Sequence, residues 1–598
     1  MMKGEKNKFN RNVFFLLATI IFFYCLLLWA QLENSSGQVE EFSGEQGEPR
    51  LFFSDLESGP KIGWEGSSRK GAAVTVWGKG FGNARGLSYI IVNGAKLTDG
   101  SDYAEWGAIG PARGLERITF WLNKDCQDGA GTICVNINGA TSNKLPFTVR
   151  PGNIYFIAQG TGNNRNDGRY SSPLGGREGP WKSLFMIDPG NNRSIKAGDI
   201  IYVRDGIYVD DYDEPPFLVV YRGAKGRQGR PISAVGFPSE WPQLGTSDSK
   251  GSVIYTETGS GGGNYVEYLE WHKMLWKAGG VSIMMDGAGH IRIIGNRFEE
   301  AQKPAQSGLI YADQARNHKI VGNLFFRNGY DKFKHDIYYK AWSERPDVPN
   351  SYDIEVAWNE FRETWFNPAV RERDKGGPSL AFSTVGPTAK FLNSQIHDNL
   401  WINCADSAIL IDSFFKNITI YNNIIANCSS APGYRPAVYL GDPDDADRSP
   451  AGVDNVVRFF NNTLFNSGNR SGMVAIWSTM NKFTLDMKNN IFYSDKGKLV
   501  GEISVGSKIL SNHDIWYGSQ KLPGDGGFKL SSVLSSDPKF LDKSTLNLHV
   551  QPGSPAIDSG TPDVSEVVKW DFDGVRRPQP EGSKYDTGAY EYQGKRTH

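Results

Sequence analysis

The heptapeptide Lys334-His-Asp-Ile-Tyr-Tyr-Lys340 gathers amines, an imidazole, a carboxylate and two phenols. Removing a proton from the carbon beside a carboxylate needs a base, and a cation to quieten that carboxylate. Lys340, Tyr338 and His335 are the candidate bases, and Arg371 and Arg373, farther along the chain, are the candidate cations. The same residues also read structurally, with His335 and Asp336 serving a turn and Lys340 simply solvated. A second group, Asp442, Asp444, Asp445 and Asp447, crowds carboxylates into one short loop. Oxygen-rich loops of this kind suit Ca²⁺, although this one lacks the full spacing of a known calcium loop and also reads as a solvated acidic turn. Third, Asp412 with Asp286 or Asp442 would serve glycoside hydrolysis, where inversion needs two carboxyls about 6.5–9.5 Å apart.

These residues sit in a run from about Ser282 to Trp477 where a short apolar strand recurs. The strands are Ser282–Asp286, Gly308–Ala312, Asp336–Lys340, Ser379–Ser383, Ala408–Asp412, Ala437–Gly441 and Met473–Trp477, with starts 26, 28, 43, 29, 29 and 36 residues apart. Between them come asparagine-led turns at Asn296, Asn323, Asn359, Asn399, Asn423, Asn462 and Asn490. Such a period signals a solenoid, in which one coil cannot bury its own apolar face and stacking supplies the core. With the second and fourth residues of each strand facing inward, the strand-end column reads Asp286, Ala312, Lys340, Ser383, Asp412, Gly441, Trp477. The middle column reads Met284, Ile310, Tyr338, Ala381, Leu410, Tyr439, Ala475. At the strand spacing, Lys340 would lie about 10 Å from both Asp286 and Asp412, room for one sugar. The longest intervals flank this ribbon and carry Trp342, Trp365 and the Asp442–Asp447 loop. They are expected to wall a groove in which Asp286, Trp342, Trp365, Tyr439 and Trp477 contact substrate.

The period, the asparagine turns and the apolar strands resemble the right-handed parallel β-helix of the pectate-lyase-like superfamily. Asn tolerates the left-handed backbone of a sharp turn, and stacked coils bring equivalent asparagines within about 4.8 Å, where their amides bond in ladders. The resemblance implies a polysaccharide partner held in the groove. Polygalacturonase motifs are not visible. Asp537–Leu541 and the segments from Gly553 to Tyr592 resemble the C-terminal stretch of β-helix surface proteins and are expected to cap the last coil, with structural Asp and Arg residues. Asp167, Asp199 and Asp205, in the opening coil, read as turn formers.

Ahead of the coils, Gly71-Ala-Ala-Val-Thr-Val-Trp-Gly-Lys-Gly-Phe-Gly82 resembles the signature of IPT/TIG domains, small immunoglobulin-like sandwiches used as spacers or binding platforms. Trp106 there reads as packing before sugar contact. Val13–Ala30 is eighteen residues without a charge behind Lys3, Lys6, Lys8 and Arg11. It is read as a signal anchor with a cytoplasmic N-terminus or as a cleaved signal peptide, and either exports the rest to the cell surface or periplasm. The expected organisation is all-β: 1–30 signal or transmembrane helix, 31–50 polar linker, 51–150 sandwich, 151–595 right-handed parallel β-helix with its cap. The net charge of −1 gives no reason to expect nucleic acid. Cys126 and Cys134 bracket a hairpin-like loop and are expected to bond in an oxidising compartment. Cys404 and Cys428 are expected to stack in successive coils as buried thiols.

The expectation is thus an exported polysaccharide-active protein, a lyase acting by β-elimination on a uronic-acid polymer or an epimerase sharing the same first step. The alternatives are a non-catalytic surface protein that binds glycan or protein, and a glycoside hydrolase.

Overall fold

The computed structural model describes residues 48–594 except 191, 210–216, 223–224, 247–251, 258–264, 278–280, 302–307, 331–334, 344–349, 367–376, 430–434, 443–451, 469–470, 480, 496, 519, 521 and 524–526. From Ile154 onward the chain coils as a parallel β-helix. Its strands stack into three sheets of 15, 11 and 10 strands among the described residues. The middle turns of the coil contribute a short strand to each sheet, rich in the β-branched and aromatic residues that fit a pleated surface. Alternate side chains point inward, and one continuous apolar core runs from Tyr155 to Phe528. Within it, like stacks on like: Trp276, Phe298, Phe325, Phe361 and Trp401 form a ladder of near-parallel rings, with neighbouring centroids 4.8–5.6 Å apart.

The asparagine ladder forms as the sequence predicts. Each of Asn296, Asn323, Asn359, Asn399, Asn423, Asn462 and Asn490 is fully buried. The backbone N–H and side-chain Nδ2 of Asn359 both donate to Asn399 Oδ1, each at 3.0 Å, and the pattern repeats coil by coil. Asn490 ends the run by donating to Asp514 Oδ1 at 2.7 and 2.9 Å. The left-handed residue of the turn, however, is the one before the ladder position: Gly295, Gly322, Trp358, Asp398, Asn422, Asn461, Asn489 and His513. Gly295 and Gly322 are required twice over. A Cβ there would meet the Trp77 ring at 2.6 Å and the Phe53 ring at 2.3 Å.

Those rings belong to the N-terminal module. Arg50–Ser54, Lys70–Lys79, Tyr103–Ile109 and Glu116–Asn123 form one antiparallel sheet, and a second sheet is built around Gly129–Ile137. The core between them extends into the β-helix through Ile154, Phe156, Ile200, Tyr202 and Val235. Tyr202 fixes the contact, its hydroxyl accepting from Ala73 N at 2.8 Å and donating to Ala73 O at 2.9 Å. Trp106 packs against this core and donates to the Phe81 carbonyl.

Two expectations are corrected. Cys126 and Cys134 are separate buried thiols. Cys126 points into the module's core with Ile133 and Val135, so Cys134, between those two on one strand, faces the other way. The segment from Gly553 to Tyr592 lies along the turn column. Asn422, Asn461 and Asn489 donate to the carbonyls of Trp570, of Asp586 and Gly588, and of Thr561, respectively. It reaches the N-terminal module too, where Arg113 donates to the Phe572 carbonyl and Lys79 pairs with Asp573. It thus acts as a lengthwise strap, with the buried Arg577–Glu591 pair at 2.9 Å inside it. Phe540–Leu548 belongs to a separate compact unit.

Other expectations are met. Cys404 and Cys428 are buried thiols within the β-helix core. Asp167, Asp199 and Asp205 accept backbone N–H bonds in turns. Among the described residues no helix is long and apolar enough to cross a membrane, and residues 13–30 lie outside them.

Candidate functional site: a polar ribbon on the third sheet

The third sheet carries the strands that the sequence singles out. Ile283–Asp286, Gly308–Asp313, His335–Trp342, Leu380–Val385, Ile409–Asp412, Val438–Gly441 and Val474–Trp477 are consecutive neighbours in it. Their register sets Asp286 beside Asp313, Asp313 beside Lys340, Lys340 beside Ser383, and Ser383 beside Asp412. Gly441 and Trp477 follow in the same direction. The middle column is Met284, Tyr311, Tyr338, Ala381, Leu410, Tyr439, Ala475.

At one rung this differs from the expected columns. Ile310 and Ala312 face the core, fully buried, and Tyr311 and Asp313 take the outward places. Leu309, Ile310 and Tyr311 are all apolar enough to face inward, so parity within Gly308–Ala312 had two solutions. The missed signal is the residue that follows. A polar strand end recurs at Asp286, Lys340, Ser383 and Asp412, and Asp313 continues that series where Ala312 breaks it.

Asp313 is held by two side chains of the ribbon. Its Oδ1 accepts from the Tyr311 hydroxyl at 2.8 Å and from the Trp342 indole at 2.9 Å. Burial raises this carboxyl above the ordinary range, against the lowering effect of those two bonds, and the neighbouring Asp286 charge adds to the rise. Burial, then Asp313 itself, pushes the Tyr311 phenol well up. On the next rung Lys340 lies half-buried, its ammonium 4.0 Å above the Trp342 ring centroid. Ser383 donates to Asp412. Burial, and then the Asp412 charge, raise Tyr439 to about 12, and its ring lies 5.1 Å from that of Trp477.

Other candidates fall elsewhere. His335 is buried below the ribbon, its Nδ1 donating to the Pro378 carbonyl at 2.7 Å and its ring 4.7 Å from Tyr338. Burial lowers its pKa to about 4. It props Tyr338 and is poorly placed to take a proton from a groove-bound ligand. Trp365 starts a strand, Trp365–Phe366, that pairs with Gly329–Tyr330 and not with the ribbon. Both oxygens of Asp442 are spoken for: Oδ1 accepts from Ser478 Oγ at 2.6 Å and Asn481 Nδ2 at 3.0 Å, and Oδ2 from Thr479 N at 2.5 Å. Asp442 therefore holds a turn. Asp444, Asp445, Asp447, Arg371 and Arg373 lie outside the described residues. Among the described residues no group of three His, Cys, Asp or Glu side chains is arranged to hold a metal. Sequence reasoning also missed Arg435, which pairs with the buried Asp406 at 3.4 Å and acts electrostatically on both His335 and Tyr439.

No family model matches the chain, and no curated protein matches it. Solved structures resemble it at low identity. A pectate lyase, Pel9A, is 13% identical with a TM-score of 0.40, covering 74% of this chain and 97% of its own. A family 28 exopolygalacturonase of Yersinia enterocolitica is 10% identical with a TM-score of 0.40, covering 82% and 97%. An alginate lyase of a Paenibacillus species is 12% identical with a TM-score of 0.35, covering 53% and 95%. The fold assignment rests on the strand pairing described above, and these likenesses accompany it.

Proposed function

We propose that the protein acts on a polysaccharide laid across the ribbon, by β-elimination at a uronic-acid residue. The observation that carries this reading is the register that puts a lysine at the centre of an outward polar column, with acids on either side and tyrosines beside it. In this reading Lys340 is the base that takes the proton from C5. The C5 electrons form the C4–C5 double bond, and the C4–O bond breaks. Tyr338 gives its phenolic proton to the departing oxygen. A cation must meet the substrate carboxylate. Arg371 and Arg373 remain candidates, and Arg435 joins them as a described cation near Tyr439. Returning a proton to the opposite face of C5, without bond breakage, would make the same site an epimerase.

One observation favours a second reading, glycoside hydrolysis. Burial raises the Asp313 carboxyl above its ordinary range, and Asp286 occupies the adjacent rung; a raised carboxyl beside a second one is what an acid and its partner need. Incubation with pectin, alginate and glycosaminoglycans separates the possibilities. Ultraviolet-absorbing unsaturated ends support elimination, and new reducing ends without that absorbance support hydrolysis. Retention on the glycan with neither product makes the chain a binder.

The same reading takes 1–30 as an export signal or membrane anchor and 31–50 as a linker. It takes 51–150 as an immunoglobulin-like module of the IPT/TIG kind, supported by its antiparallel sheets and the left-handed glycines Gly80 and Gly82. A Ca²⁺ ion in the 442–447 loop would rely on Asp444, Asp445 and Asp447, because Asp442 is already committed to Ser478, Thr479 and Asn481. Loss of turnover on chelation, restored by Ca²⁺, would support that ion. Unchanged turnover would remove it.

A further inference from the structure

A cavity of about 200 Å³ opens at the turns between the first and second sheets, where three parts of the chain meet. The N-terminal module contributes Arg50, the turns of the coil contribute Trp358, Tyr421 and Asn422, and the strap contributes Lys569 and Trp570. Cavities of about 150 Å³ accept a six-membered ring, so this one has room for a single sugar.

Its chemistry is that of a receptor for a ring bearing negative charge. Tyr421 stacks on the buried His397 at 4.6 Å and 8°, and Trp358 meets that imidazole edge-on at 4.9 Å. The wall therefore offers flat apolar surface for C–H faces. Arg50 lies over the Trp570 ring, 3.1 Å from its centroid, and feels the charges of Asp398 and Asp571, which also line the cavity, without a direct ion pair among the described residues. Asp398 is bonded to His397 at 2.8 Å, and Asp571 accepts from the backbone N–H groups of Asp573, Val575 and Glu591. Both acids are thus engaged by the protein, whereas among the described residues neither Arg50 nor Lys569 has a carboxylate within ion-pair distance. Two polar atoms on the wall are also without partners among the described residues: Arg50 Nε, a donor, and Oδ1 of the buried Asn422, an acceptor. Leaving such buried atoms unmet is unfavourable, and a ligand carrying both an anionic oxygen and a hydroxyl would satisfy the two together.

We propose that this junction is a second carbohydrate site, which binds one carboxylated sugar ring between Arg50, Lys569, Tyr421 and Asn422. It holds whichever reaction the ribbon performs. Functionally it would grip an acidic chain end away from the groove and couple that grip to the docking of module and strap.

Calorimetric titration of the full chain with D-galacturonate, and with neutral D-galactose as control, tests it. Galacturonate should bind and galactose should bind at least about tenfold more weakly, the difference a charge-assisted contact supplies. Lys569→Gln, at an exposed position where folding is not at stake, and Arg50→Gln should each weaken galacturonate at least about fivefold. Lys340→Ala should leave it intact. No galacturonate binding, equal binding of galactose, or binding lost in Lys340→Ala but kept in Lys569→Gln would overturn the proposal.

Discussion

At the scale of the residue, burial does most to set the chemistry. Asp514 closes the asparagine ladder, with Oδ1 accepting from Asn490 and Oδ2 from Ser511 at 2.6 Å. Full burial nonetheless raises its pKa to about 7. The unfolded carboxyl titrates near its ordinary value, so the folded state binds the extra proton between about pH 4 and 7. Its contribution to stability is therefore complete below pH 4 and is lost as pH rises to about 7, by up to about 1.4 kcal/mol per pH unit. Asp514→Asn should flatten that slope when urea midpoints are compared across the range. An unchanged slope in the variant would contradict the assignment. Asp313 shows what sequence could not settle at this scale. Its neighbour Tyr311 is amphipathic and reads equally as core or surface, so one rung of the column was misplaced by a single residue. The other outward candidates, Asp286, Tyr338, Lys340, Asp412, Tyr439 and Trp477, were legible because the second and fourth residues of their strands, Ile283/Met285, Ile337/Tyr339, Ile409/Ile411, Val438/Leu440 and Val474/Ile476, are the buried ones.

At the scale of the element, the ladder asparagines were the clearest signal, since nothing else recurs so regularly at the same place in each coil. Their physical role is more specific than turn formation. The residue before each one takes the left-handed conformation, and the asparagine side chain itself satisfies the backbone of the preceding coil. Asn359 accepts from Asn323 N and Nδ2 and donates to Asn399 Oδ1 and to the Ile320 carbonyl. Asn359→Ala should therefore cost about 2–4 kcal/mol, because it strands several buried groups. Chemical denaturation checks this, and a loss below about 0.5 kcal/mol would mean that the ladder contributes little. The cysteine pairing was illegible for the opposite reason: spacing along a hairpin says nothing of which face each thiol takes.

At the scale of the whole molecule, repetition made the β-helix legible, but the docking of its attachments was not. The N-terminal module shares its core with the first coils, and the strap ties coil turns to module through Arg113 and Asp573. These contacts join residues that no local pattern connects. Removing residues 48–150 should expose Ile154, Phe156, Tyr202 and Val235 and leave an aggregating chain. A soluble, cooperatively folded truncation, judged by sedimentation and thermal melting, would show that the contact is incidental. The central claim remains that stacking in register assembles one reactive ribbon around Lys340. Its most direct test is the rate of unsaturated-product formation by Lys340→Ala on the polymer that the wild-type protein cleaves, with circular dichroism confirming the fold. The account predicts a fall of at least about a hundredfold with the spectrum unchanged. A correctly folded variant that turns over at the wild-type rate would contradict it.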